Sequence, residues 1–336
     1  MKRFLAAFCV FIWLLPWVSV PCRAAAPAEI ENAVLDASGA WVPYTSAIPG
    51  EIVACRSSVT LLGGQEYVLR GMLSAGLTFD SVIAVEQNGK AVNASYFTLL
   101  TRRLSSQAAF EVHLSASFAD PVSTVVTVLY TVKLNDAAVT GEEGNAFGME
   151  VVDAGGEERR GEDARLRTYA ASVYRAVTIP DSEKQSNPLR AVCFSLFYDS
   201  ALKNRVAFRD AGGGSYLACV ADDCQHTRHD YLLNTPENGL VRLQGLSEGV
   251  YYLQETRTPS GYKTMANALE IVVGEDGSVA ASGAPCAEGV LSLVEQRVTD
   301  SPKSKETSDM VSFYEKGCRV MAAAVAVLVL VKRFVL

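Results

Sequence analysis

The chain has 336 residues, is 49% hydrophobic and 20% charged, and carries a formal net charge of −7. An acidic chain with no basic stripe lacks the electrostatic footprint of a nucleic-acid binder. Its length also exceeds one small domain, and two domains of about 130 residues are the natural division.

At the N-terminus, Lys2 and Arg3 precede an apolar run from Phe4 to Val20, and Cys22-Arg23-Ala24 offers small residues where a signal peptidase reads. Residues 1–24 therefore read as a secretory signal peptide, and the mature chain is expected outside the cell. Cys22 invites a lipoprotein reading, but Pro21 stands where that processing site needs a small residue.

Strand signals follow, with no long helical periodicity between the two ends. "EIVACRSSVTL" (51–61) and "AFEVHLSASF" (109–118) alternate apolar and polar residues. In "TVVTVLYTVKL", Val126, Val128, Tyr130, Val132 and Leu134 share one face, while Thr127, Thr131 and Lys133 share the other. That is the pattern of an antiparallel strand with one wet face. Turn pairs at Gly63-Gly64, Asn88-Gly89, Asn238-Gly239 and Asp276-Gly277 separate such runs. Cys55, on a strand, reads as a buried free thiol, and His113 as a sheet residue without chemical role.

Between Asp153 and Arg165 the sequence becomes "DAGGEERRGEDAR", charge and glycine apart from two alanines. It reads as a solvated hairpin or the approach to a domain boundary, placed here between residues 167 and 168. The expected fold is all-β: two tandem immunoglobulin-like or prealbumin-like β-sandwiches, 25–167 and 168–300.

In the second of these, Val250 to Arg257 ("VYYLQETR") alternates as a half-buried strand, yet puts Glu255 on the face of Tyr251 and Leu253. An acid there is costly unless something pairs with it. "CVADDCQHTRH" (219–229) could supply Cys219, Cys224, His226 and His229 to a zinc ion. A local Cys219–Cys224 disulfide is the preferred reading in an oxidising exterior, so no metal and no cofactor are assigned. No serine or cysteine has a nearby base in a recognisable arrangement, and no enzymatic activity is expected.

Residues 301–319 read as a linker, and 320–336 as a hydrophobic helix with a basic tail, since Val320 to Val331 is uninterrupted apolar sequence followed by Lys332 and Arg333. The apolar run is short for a bilayer span, so it reads as a marginal membrane anchor with its basic end inside.

With the strands in place, residues 168–300 resemble the Cna B-type, or SpaA-type, prealbumin-like domain of Gram-positive surface proteins and pilins. The resemblance is carried by "TYAASVYRAV" (168–177), "PLRAVCFSLF" (188–197) and above all "NGLVRLQGLSEGVYYLQETRTPSGY" (238–262). Residues from about 45 to 165 resemble the isopeptide-forming domain of fimbrial subunits, through "LSAGLTFDS" (73–81), "NGK" (88–90) and "VLYTVKLNDAAVTGEEGN" (128–145).

In that family the glutamate matching Glu255 promotes an amide bond between a first-strand lysine and a last-strand asparagine. The chemistry needs a buried neutral amine and a protonated acid. Here the resemblance places Arg175 at the lysine position and Glu295 at the asparagine position. It implies an ion cluster of Arg175 with Glu255, and with Glu295, in place of the covalent tie; the competing reading is that Arg175 snorkels to solvent.

The first domain shows the same erosion: no lysine lies between Lys2 and Lys90, the acid falls near Gly71, and the asparagine falls near Phe147, with Asn145 close by. No isopeptide bond is expected in either domain. A disulfide between Cys193 and Cys286 could tie the second sandwich instead.

The sorting motif is degenerate as well; "SKETSD" (304–309) keeps Thr307 but lacks the leucine, proline and glycine. The resemblance thus implies a secreted cell-surface structural or adhesive protein, membrane-anchored or wall-associated, pilin-like but non-polymerising. Its partners would be other pilus or surface proteins, a host or matrix ligand, and the membrane through the C-terminal helix. The alternatives are a zinc-binding surface module, a membrane-tethered monomer of no pilus role, and a decaying paralogue.

Overall fold

The computed structural model describes residues 29–296, apart from 103, 105–106, 119–122, 179–185 and 221–230. The signal segment, Cys224, His226, His229, Thr307 and the hydrophobic tail lie outside the described residues. Among the described residues every regular element is a β-strand or a short 3₁₀ turn, and no helix is long and apolar enough to cross a membrane.

The alternation in Thr124–Leu134 has its expected effect. Val126, Val128, Tyr130, Val132 and Leu134 are all buried, and the strand sits between Ile52–Leu61 and Leu77–Gln87. Ile30–Leu35, Trp41–Val42 and Lys90–Ala91 complete this six-stranded sheet. A second sheet runs Phe97–Leu100, Phe110–Leu114, Tyr67–Leu73, Gly141–Asp153 and then Ala164–Thr178. Side chains from both sheets fill a core from Val34 to Leu166, with Tyr130, Phe110 and Phe147 fully buried.

"DAGGEERRGEDAR" forms a hairpin, with Glu158–Arg160 paired back onto Glu150–Val152. Asp153 shapes its turn by accepting from the backbone N–H groups of Gly155 and Glu157. The position expected for a domain boundary, 167/168, holds no linker. It falls inside the strand Ala164–Thr178, 15 residues long, or about 50 Å at the usual strand rise.

The first residues of this strand pair with Gly141–Asp153 and with Tyr44–Ser46. From Tyr169 onward the same strand pairs with Leu240–Leu246, then with Val290–Gln296 in parallel. A second core begins at Tyr169 and runs to Leu293. It lies between this sheet and a third, ordered Leu233–Asn234, Cys193–Phe197, Gly249–Arg257, Leu269–Val273, Val279–Ala281 and Ala284–Pro285.

The proposed Cys193–Cys286 disulfide does not form; neither residue is disulfide-bonded. Cys193 is on the second strand of the third sheet, and Cys286 follows the last. Three strands intervene, each step being about 4.8 Å, whereas a disulfide needs Cα atoms within about 7 Å. The Cys193 thiol instead donates to Asn234 Oδ1 at 2.8 Å.

Candidate functional site

The burial pattern of Gly249–Arg257 puts Tyr251, Leu253 and Glu255 inside together, with Glu255 only 3% exposed. Across the core stands Arg175, 2% exposed and on the facing sheet. Its Nε lies 3.4 Å from Glu255 Oε2. Neither of these two atoms has a hydrogen bond, so the contact is one of charge rather than an aligned donor and acceptor.

The remaining polar atoms have partners nearby. Arg175 Nη1 donates to the carbonyls of Ala176 and Leu293 at 3.3 and 3.4 Å, and Nη2 to that of Lys263 at 3.4 Å. Glu255 Oε1 accepts from the Thr258 hydroxyl, which lies 2.9 Å from Thr264 Oγ1. The backbone of Arg175 is clamped as well, since its N–H donates to Gly239 O and its carbonyl accepts from Leu189 N–H, both at 2.9 Å. Gly239 has φ +67, and a Cβ there would come within 2.5 Å of the Arg175 carbonyl. Glycine is required on both counts.

Chemically, this site joins the two sheets of the second sandwich by charge. A guanidinium remains protonated and offers no lone pair for attack on a carbonyl. Glu295 pairs through its backbone with Val177, two residues beyond Arg175 on the parallel neighbour. Its side chain lies outside the described part of the structure.

In the first half, the positions that the resemblance assigns to an acid and an asparagine hold aromatic packing. A Cβ on Gly71 would sit 2.1 Å from Phe110 Cε1, so the Phe110 ring occupies the space of a side chain at residue 71. The ring continues into a cluster: Phe79 to Phe110 centroids 4.7 Å, Phe110 to Tyr130 5.0 Å, and Tyr130 to Phe147 6.3 Å edge-on. Beside it lies the Cys55 thiol, fully buried and not disulfide-bonded, as its strand position suggested. Burial pushes its pKa far up. Asn145 is a buried clip; it accepts from Val139 N–H at 2.9 Å and donates to Val139 O and Leu166 O at 3.3 and 3.0 Å.

Sequence reasoning missed Glu111. Alternation in "FEVHL" turns it away from Phe110 and Val112, yet it is 3% exposed. Arg70, directly opposite on the next strand, lies 3.5 Å away through Nε and reaches Glu150 and Glu158 through Nη1 at 3.8 and 2.9 Å. His113, two residues along the same strand, contacts Glu111 Oε2 through Nε2 at 3.0 Å.

Of the four residues proposed for zinc, only Cys219 is described, and it is disulfide-bonded. A disulfide sulfur is not a thiolate, which removes one ligand from that set. Among the described residues no group of three metal-ligating side chains converges.

Residues 176–284 match the SpaA prealbumin-like fold domain. Solved structures match over most of the chain. The full-length major pilin RrgB of Streptococcus pneumoniae is 11% identical with a TM-score of 0.57, covering 82% of this chain and 75% of its own. The pilus 2b backbone protein of group B streptococcus is 15% identical with a TM-score of 0.55, covering 81% and 99%. A C-terminal fragment of the major pilin GBS80 of Streptococcus agalactiae is 14% identical with a TM-score of 0.54, covering 81% and 100%. No curated protein matches the chain.

Proposed function

We infer, from a chain that carries a SpaA prealbumin-like domain and shares its fold with Gram-positive major pilins, that this protein is a pilin-like structural subunit of the bacterial cell surface. Its work is mechanical or adhesive rather than catalytic. It presents a pair of sandwiches to other surface proteins or to a host or matrix ligand. The second sandwich is held by the buried Arg175–Glu255 pair where the family places a covalent bond, and this observation carries the reading of a subunit without isopeptide ties. Supporting it, the Phe110 ring fills the corresponding space in the first half. With the degenerate sequence around Thr307, the subunit is read as non-polymerising.

Intact mass and envelope fractionation test this reading. The expected mass is that of the exported sequence less the hydrogens of its disulfides; a further deficit of one ammonia or one water would reveal an internal amide bond. Detergent alone should release a single band from the host envelope. A high-mass ladder freed only by wall digestion would overturn the non-polymerising reading while leaving the surface location intact.

A further inference from the structure

The passage from one core to the other has an unusual construction. Leu166 is buried in the first core and Tyr169 in the second, so only Arg167 and Thr168 separate them on one unbroken strand. Inter-domain segments are ordinarily exposed linkers crossed by few contacts, with relative motion as the default. Here the segment Tyr44 to Pro49, from the first half, grips the second from the side. Ala47 N–H donates to Arg167 O at 3.0 Å, Ser46 Oγ accepts from Glu248 N–H at 3.0 Å, and Pro49 O accepts from Val220 N–H at 3.1 Å.

Close packing backs these bonds. Gly245, with φ +76, lies so near Pro49 that a Cβ would be 2.9 Å from its Cδ. Tyr44 donates to Glu275 Oε1 at 2.5 Å while the Arg167 guanidinium stacks 3.7 Å above its ring. Tyr169 donates to the Glu275 carbonyl, so one turn of the second half is fixed by tyrosines on both sides of the joint. Elsewhere on the joint Arg209 grips Asp136 through two contacts, Nη1 to Oδ2 at 2.6 Å and Nη2 to Oδ1 at 2.5 Å.

We propose that this joint splices the two sandwiches into one rigid strut that folds as a single cooperative unit. A hinge needs residues free to change φ and ψ, and here Arg167 pairs with Ser46 on one side of the strand and Thr168 with Gly141 on the other. The inference rests on the fold and the joint alone, so it stands or falls independently of the surface role.

Gln65 and Ser260 are exposed and follow strands that begin beside the joint, Ile52–Leu61 in the first half and Gly249–Arg257 in the second. Spin labels carried there on unnatural amino acids, in the full chain held in detergent, should give one narrow distance distribution, and calorimetry should give one transition. A broad distribution or two separated transitions in the unmodified joint would overturn the proposal. The variant Tyr44→Ala/Ser46→Ala/Asp136→Ala removes only grip contacts outside both cores. It should at least double the width of the distribution; a width equal to that of the parent would show that the grip does not stiffen the joint.

Discussion

Arg175 and Glu255 face each other from opposite sheets of one sandwich, 3.4 Å apart and both shut off from water. Burying either charge alone costs several kcal/mol, and their attraction offsets that cost only while both are present. Glu255→Gln or Arg175→Met alone should therefore destabilise the protein by about 3–5 kcal/mol, read from urea unfolding midpoints. Arg175→Met with Glu255→Leu should recover most of the loss, because the volume stays filled and neither member of this pair is left charged without the other. If the double variant is as unstable as the worse single one, the pair is not the source of the penalty.

The space over Gly71 makes a sharper test of the first half. Gly71→Ala puts a methyl 2.1 Å from the Phe110 ring, which cannot retreat because Phe79 and Tyr130 pack against it. Overpacking of this kind costs about 1–3 kcal/mol. Phe110→Leu, itself destabilising, should make Gly71→Ala less harmful than it is in the parent, a coupling that a double-mutant cycle measures. Additive losses would mean that the ring is not what excludes a side chain from residue 71.

Cys55 sets a pH dependence. Burial raises the pKa of its thiol, and burial first and then Cys55 itself raise that of Tyr130. Above about pH 9 the thiol of the unfolded chain ionises while the folded one keeps its proton. The folded state then binds more protons than the unfolded, so stability is fully present below that pH and falls as pH rises. Each such group contributes a slope of up to about 1.4 kcal/mol per pH unit. Cys55→Ala should flatten the fall between pH 9 and 10 and leave the later loss from Tyr130. The native thiol should also resist alkylation at pH 8 and react once urea unfolds the chain.

The sequence made much of this legible wherever a local period decides the outcome. Thr124–Leu134 and Gly249–Arg257 alternate cleanly, so their buried faces, including Glu255, follow from counting by two. What it concealed depends on which strand lies alongside. Glu111 alternates outward yet is buried, between Arg70 on one neighbouring strand and Leu100 on the other. Cys193 and Cys286 look pairable along the chain, yet three strands of their sheet keep them apart. The charged glycine-rich run before Arg165 reads either as a solvated hairpin or as the approach to a boundary because both share a composition, and it forms the hairpin. The strand that follows it shows no break in pattern at residue 167, and that continuity was the available signal for the joint.

Asn145 offers a last test, since the resemblance places an amide-forming asparagine close to it. In the structure its carboxamide is committed to three backbone bonds, to Val139 N–H, Val139 O and Leu166 O. These tie the turn after Leu134 to the strand that enters the joint. Asn145→Ala would strand those groups in a buried site, at about 1–3 kcal/mol for the unpaired set. Asn145→Asp keeps the acceptor for Val139 N–H but loses both donors and brings an uncompensated charge beside two carbonyls, so it should cost at least as much at neutral pH. A role as acyl donor to an amine predicts another signature: the parent would weigh one ammonia less than its sequence, and Asn145→Ala, which has no acyl group to give, would lose that deficit. Stability should fall with no such deficit in the parent; unchanged stability would show that the clip is dispensable.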